Sequence, residues 1–145
     1  MRIAFWGWLG MVLWGLPLNL VFAQDSWKKT MHQTFEVPDS VCLVEIEIPW
    51  GYVVERWPTN AMMVEETVEL RKIPDSVAGA LVKQGRFGLK LACKFGLCVL
   101  SPVQTSFPVI RTTMGELEEQ IQVRIFLPDD FEKAGDHLWT RMWRP

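Results

Sequence analysis

Apolar and polar residues alternate along three stretches of the chain, residues 41–48, 62–70 and 116–127. Strict alternation of this kind is typical of a β-strand with one dry face and one wet face. The last stretch shows the pattern most fully, and its inward set is predicted to be Ile121, Val123, Ile125 and Leu127. Shorter β-prone runs between proline and glycine turns predict further strands at 52–57, 86–93, 97–100 and 109–114.

The period changes once, after Pro74, where apolar residues recur at the spacing of a helix. We predict one short helix at about 75–84, with Asp75 or Ser76 as its N-cap and Gly85 just beyond its C-cap. Six or seven short strands and one helix predict a mainly β domain, either antiparallel or built as a solenoid-like stack of short strands.

The first 23 residues have a different pattern, with Arg2 followed by an apolar run and ending in small residues at Val21 and Ala23. This layout predicts a cleaved signal peptide at 1–23, and therefore a protein in the periplasm, in the outer envelope or outside the cell. The alternative is an uncleaved anchor, since about 20 apolar residues span a bilayer. It would be the chain's only membrane contact.

The rest of the chain divides into a polar leader at 24–36, a β-rich domain at 37–130 and a loosely ordered tail at 131–145. We expect the chain to lack a continuation, because it ends abruptly for a sheet domain. The formal net charge of −2 comes from acidic and basic residues that alternate without forming a basic patch. We therefore expect no nucleic-acid partner, because binding to nucleic acid requires a positive surface.

The chain has three cysteines, of which Cys93 and Cys98 flank a four-residue turn. If that turn connects two antiparallel strands, the two side chains face each other and can form a disulfide in an oxidising compartment. The alternative is a pair of small buried apolar residues. Cys42 has no local partner, and the spacing gives no metal-site pattern.

Residues with catalytic potential are few. His32 and His137 lie in the predicted leader and tail, and neither a serine elbow nor a phosphate loop occurs. Pairs of glutamates on single strands are candidates for acid–base work or a Ca²⁺ site, but alternation with apolar residues favours a solvated strand face. These pairs are Glu45 and Glu47, Glu65 and Glu69, and Glu116 and Glu118. We expect no catalytic residues, no cofactor and no metal.

Tryptophan is frequent, and Trp50 and Trp57 flank one predicted strand. Large amphipathic rings serve as anchors at interfaces, so these two are candidate interaction aromatics. The alternative is that they cover the core or a sheet edge.

The order of elements also resembles that of adhesin-type exported bacterial proteins. The resemblance rests on EIEIPWGYVVERWPTNAMMVEETVEL, then a short helix, then GRFGLKL and GELEEQIQVRIFLPDD. It implies stacked short strands, extending in such proteins into a right-handed β-solenoid or an elongated sheet, and it brings no catalytic residues.

The sequence thus predicts an exported structural or interaction module, adhesin-like and without catalytic activity, whose partner is protein or glycan at the cell surface. Two alternatives remain: a module that binds an apolar ligand such as a lipid, and a hydrolase that uses strand carboxylates.

Overall fold

The computed structural model describes residues 26–143, so the predicted signal peptide lies outside the described residues. Within that range, no helix has the length and apolarity needed to cross a membrane. The elements in chain order are β1 (Ser26–Glu36), β2 (Leu43–Ile46), β3 (Tyr52–Trp57), β4 (Ala61–Arg71), α1 (Asp75–Lys83), β5 (Leu89–Lys94), β6 (Leu97–Pro102), β7 (Arg111–Thr112), β8 (Gly115–Glu116), β9 (Glu118–Pro128), β10 (Phe131–Lys133) and β11 (Leu138–Arg141). The predicted mainly β fold with one short helix is confirmed.

The long strands form two sheets. Sheet A has four strands in the order β1-β4-β9-β3, and sheet B has five in the order β10-β11-β2-β6-β5. Most neighbours are antiparallel, but β3 runs parallel to β9 and β2 runs parallel to β6. Parallel neighbours join segments that are distant in sequence. Alternation along one strand does not indicate which strand pairs with it, so the sequence pattern does not predict these parallel pairs. A separate hairpin joins β7 to β8.

Alternation along β4 and β9 turns one face of sheet A inward, as the sequence predicts. Val64 and Ile125 on that face are fully buried, and they belong to one apolar cluster with Val44 and Leu100 of sheet B. The two sheets therefore pack face to face with their apolar sides together, which is the arrangement of a β-sandwich.

Helix α1 covers a second apolar cluster at one end of sheet A. Its Ala78 is buried with Leu70 of β4 and with Phe87, which follows the helix. The predicted N-cap is wrong: Pro74 occupies that position, and no side-chain hydrogen bond caps the helix. Gly85 lies just past the C-cap with φ +79°, in the left-handed region that glycine favours, as the sequence predicts.

Both ends of the domain are more ordered than the sequence predicts. Residues 26–36, expected to be a polar leader, form β1, which pairs with β4 in one unbroken antiparallel register. The polarity reflects the solvated outer face of β1 and its edge position, while Trp27, Met31 and Phe35 are half-buried on the inner face. The predicted loose tail instead contributes β10 and β11, and β11 pairs with β2 at the centre of sheet B.

Candidate functional site

A groove with a volume of about 560 Å³ lies where an edge of sheet A meets sheet B. Trp50, Tyr52 and Val54 line it from β3 and the turn before it, and His137 and Trp139 line it from β11 and the residue before that strand. Its aromatic rings thus come from segments more than 80 positions apart in sequence. The pairing of β3 with β9, the pairing of β11 with β2 and the packing of the two sheets bring them together.

The fold positions the two walls separately. Tyr52 opens β3 and lies opposite Val123 of β9, so its side chain leaves sheet A on the inner side. Trp139 lies opposite Val44 of β2, and it packs on the main apolar cluster. Trp50 contacts the same cluster and is held in place by Phe107, whose ring meets it edge-on at a centroid distance of 5.5 Å.

A polar contact links the walls. The hydroxyl oxygen of Tyr52 lies 2.6 Å from Nδ1 of His137, and it also reaches the backbone carbonyl of Asp136 at 3.5 Å. Partial burial, together with the nearby carboxylate of Asp136, raises the pKa of Tyr52 above its ordinary value. The phenol is neutral at neutral pH, and a neutral phenol can both donate and accept a hydrogen bond.

Two further features concern the polar and charged groups of the groove walls. The indole Nε1 of Trp139 is buried and has no hydrogen-bond partner among the residues of the structure. Buried donors are nearly always paired, so an unpaired one is a notable feature of this wall. Lys133 and Asp136 place one charge of each sign at the rim, and Asp136 is the only carboxylate among the described residues that line the groove.

The two candidate interaction aromatics do not act together. Trp50 precedes β3 and Trp57 ends it, so the length of the strand, about 20 Å, separates them. The indole of Trp57 donates to the carbonyl of Ala61 at 2.7 Å, and its ring packs on Phe126 on the outer face of sheet A. Its polar group is therefore already used within the fold.

Sequence reasoning did not identify Tyr52, His137 and Trp139. Each looks unremarkable locally: Tyr52 continues a β-prone run, and the other two lie in the segment expected to be a loose tail. The available signal was the excess of tryptophan near the C-terminus, which is unusual in a solvated tail.

The glutamate pairs proposed from strand alternation do not form shared sites in the structure. Glu65 lies 3.1 Å from His32 and 3.2 Å from Arg124, which also binds Glu55. The hydrogen bond from His32, followed by that from Arg124, lowers the pKa of Glu65. These groups form a chain of hydrogen bonds and ion pairs across all four strands of sheet A, so the carboxylate of Glu65 is already paired within the fold.

The other pairs are no more convergent. Glu69 binds Arg71 at 3.0 Å, whereas Glu116 belongs to β8 and Glu118 to β9, so those two do not share a strand as predicted. Glu45 is in β2 and Glu47 follows that strand. Among residues 26–143, no group of three or more potential metal ligands comes together.

One carboxylate does lie in the core. Glu66 is 3 % exposed on the inner face of β4, opposite Met31 of β1 and Val123 of β9. Its Oε1 has no hydrogen-bond partner among the described residues, and burial raises its pKa to about 7. Glu66 occupies an inward-facing position of β4, and the other inward-facing residues of that strand are apolar. This break in the alternation is the sequence signal that indicates a buried carboxylate.

Two of the three cysteines form a disulfide, and the third is free. Cys93 and Cys98 are joined by a disulfide across the β5–β6 hairpin, with their Cα atoms 4.0 Å apart. The hairpin tip carries Phe95, which is 95 % exposed, and Gly96 with φ +78°. Cys42 is free and exposed.

Comparison of the chain with models of known protein families, with curated proteins and with solved structures finds no match.

Proposed function

We propose that the protein is an exported, non-catalytic interaction module that binds glycan in the groove of Trp50, Tyr52 and Trp139. The observation that carries the proposal is the convergence of these three aromatic side chains from two sheets in one groove. A pyranose ring presents C–H groups on its faces and hydroxyls at its edges. Aromatic rings beside hydrogen-bonding groups match both kinds of surface.

The polar groups of the groove favour a sugar over a purely apolar ligand. The Tyr52 hydroxyl and the imidazole of His137 supply a donor and an acceptor among the rings. The opposite charges of Lys133 and Asp136 leave the rim without a net charge, which favours a neutral polyol over an ion. A volume of about 560 Å³ lies within the range of small-ligand sites.

The same inventory supports binding without turnover. Glycoside hydrolysis ordinarily requires two carboxyl groups flanking the scissile bond. Within residues 26–143, Asp136 is the one carboxylate that lines the groove. The strand glutamates Glu65 and Glu69 are paired with basic residues on the far side of sheet A.

Location outside the cytoplasm is supported by the Cys93–Cys98 disulfide together with the sequence of residues 1–23. Disulfides persist in oxidising compartments and are rare in the cytosol. An exported module of this kind would meet the polysaccharides of the cell surface, which agrees with the adhesin-like resemblance.

The test is binding of the purified protein to an array of neutral oligosaccharides, including β-glucan, α-glucan and chitin fragments. Trp50→Ala removes a stacking ring and is expected to weaken binding at least tenfold, as for a central aromatic anchor. His137→Ala, at an exposed position, tests the polar wall without disturbing the core and is expected to weaken binding severalfold.

Trp143→Ala is the matched control, since Trp143 is 86 % exposed and does not line the groove. Its binding is expected to equal that of the wild type. Absence of binding to every glycan on the array, or equal loss in the Trp143 variant, would contradict the proposal. Thermal melting of each variant confirms that it is folded.

A further inference from the structure

Strand β1 is a long free edge. It extends over 11 residues, and among residues 26–143 it pairs with β4 alone. Its register, from Ser26 opposite Arg71 to Glu36 opposite Ala61, has no break. Alternate backbone N–H and C=O groups along its other side therefore point away from the sheet, which makes β1 a template for another strand.

The two edges of sheet B, β5 and β10, offer less to a partner strand. The side chain of Gln33 covers part of the β5 edge, accepting from the backbone N–H of Leu89 at 3.2 Å and donating to its carbonyl at 3.3 Å. Strand β10 has only three residues. By contrast, β1 contains no proline and no bulge, the two backbone devices that commonly block pairing at an edge.

We propose that β1 pairs with β1 of a second copy of this chain, antiparallel, about a twofold axis at His32. Two identical strands related by a twofold axis make a closed, self-complementary contact rather than an open fibre. Side chains alternate between the two faces of a strand, and residues paired across the axis must lie on the same face. The axis therefore passes through a residue position and not between two residues.

Charge selects the register. Lys28 and Glu36 lie on the outer face near opposite ends of β1. An axis at His32 places Lys28 of each copy opposite Glu36 of the other, so two ion pairs form per dimer. An axis at Met31 places Lys28 opposite Thr34 instead. Oppositely charged residues directly across a ladder are favourable.

Two further contacts agree with this register. Thr30 of each copy faces Thr34 of the other on the outer face, and threonine pairs are favourable across strands. On the inner face, Lys29 lies opposite Phe35, where its aliphatic stem packs on the ring and its ammonium stays in solvent. The one inward-facing lysine of the edge is thus accommodated.

The pairing creates one sheet of eight strands in the order β3-β9-β4-β1-β1-β4-β9-β3. The two β3 strands lie at its ends, about 34 Å apart at a strand spacing of about 4.8 Å. If the proposed function holds, this arrangement carries two glycan grooves on one rigid body, and a polysaccharide that engages both is bound with increased avidity. The pairing itself does not depend on the proposed function.

Sedimentation equilibrium of the purified protein tests the pairing. The wild type is expected to be a dimer, and Lys28→Glu and Glu36→Lys are each expected to raise the dimer dissociation constant about tenfold or more, because each places two like-charged pairs at the interface. The double variant exchanges the charges and is expected to restore the dimer. Lys28 also lies opposite Glu69 within its own sheet, so thermal melting separates the effect on folding from the effect on assembly.

Cross-linking tests the register in a Cys42→Ser background, which removes the free cysteine. His32→Cys places two thiols side by side at the axis and is expected to yield a disulfide-linked dimer upon oxidation. Thr34→Cys is the matched control on the same face and is expected to stay unlinked, since its thiol lies opposite Thr30.

Three results would overturn the inference. The first is a wild-type protein that is still monomeric at about 100 μM, because most specific complexes have dissociation constants below that concentration. The others are a dimer unaffected by either single charge change and a double variant that fails to dimerise. If β1 instead pairs with a strand of another protein, the purified chain is monomeric, which is the first of these results.

Discussion

Glu65 and Glu66 are adjacent in β4, yet their carboxylates lie on opposite faces of sheet A. The first lies 3.1 Å from His32 on the solvated face, and the second is 3 % exposed between the sheets with an unpaired Oε1. One position along the strand therefore changes the environment of the same functional group from solvated and paired to dry and unpaired.

The buried carboxylate predicts a distinctive pH dependence of stability. Burial raises the pKa of Glu66 from 4.5 to about 7. The folded protein holds this proton at pH values where the unfolded chain has lost it. The contribution of Glu66 to the free energy of unfolding therefore falls as pH rises from about 4.5 to about 7. Below and above this window the contribution does not change with pH. The total fall is about 3 kcal/mol, at about 1.4 kcal/mol per pKa unit.

Glu66→Gln removes this titration while nearly preserving size. The variant is expected to match the wild type at pH 4.5 and to be about 3 kcal/mol more stable at pH 8. Urea denaturation across that range measures the difference. A variant that loses stability relative to the wild type as pH rises would show that the folded protein favours the ionised carboxylate.

Glu65→Gln is the matched control on the opposite face. The hydrogen bond from His32 lowers the pKa of Glu65, so its contribution to stability is present above the unfolded pKa and lost as pH falls through the folded one. This variant is expected to be less stable than the wild type at neutral pH and equal to it in acid. The two adjacent substitutions thus predict pH effects of opposite sign.

The buried Arg86 predicts that substitutions of two neighbouring glutamates, Glu118 and Glu119, differ in their effect on stability. Its side chain is 6 % exposed, and its Nε lies 2.6 Å from Glu119. Glu119→Ala leaves this buried cation with the carbonyl of Pro108 as its hydrogen-bonding partner, at 3.1 Å, and is expected to cost about 3 kcal/mol. Glu118→Ala, next in the chain, removes an exposed pair with Lys72 and is expected to change stability little. Equal effects in urea denaturation would contradict this role of Arg86.

The disulfide predicts a specific labelling pattern. Without reductant, alkylation followed by intact-mass measurement is expected to modify Cys42 alone, and after reduction all three cysteines. Reduction is expected to lower the free energy of unfolding by about 2 kcal/mol, because the bridge closes only a short loop. Labelling of Cys93 and Cys98 in unreduced exported protein would show that the bridge is absent.

Local patterns were sufficient to predict most of the strands. The inward residues of β9 and the glycine after α1 follow from alternation and from backbone preference, both of which are local. Strand β1 was missed because it lies at an edge with a polar outer face, and its apolar residues recur every fourth position, as at Trp27, Met31 and Phe35. Such spacing has no clear strand period.

The site was less predictable than the fold. Trp50 was identified as a candidate from its residue type, but its partners Tyr52 and Trp139 are set by the parallel pairing of β3 with β9 and by the docking of β11 on β2. Such pairings depend on packing between segments distant in sequence, which periodicity within one segment does not encode.

Binding of glycan in the groove, rather than on another aromatic surface, is followed by the indole N–H resonances of ¹⁵N-labelled protein during titration with the oligosaccharide that binds best on the array. The resonances of Trp50 and Trp139 are expected to shift in a saturable manner, while those of Trp57 and Trp143 do not change. Shifts confined to Trp57 or Trp143, or no shift of Trp139 at saturation, would show that glycan does not bind in the groove.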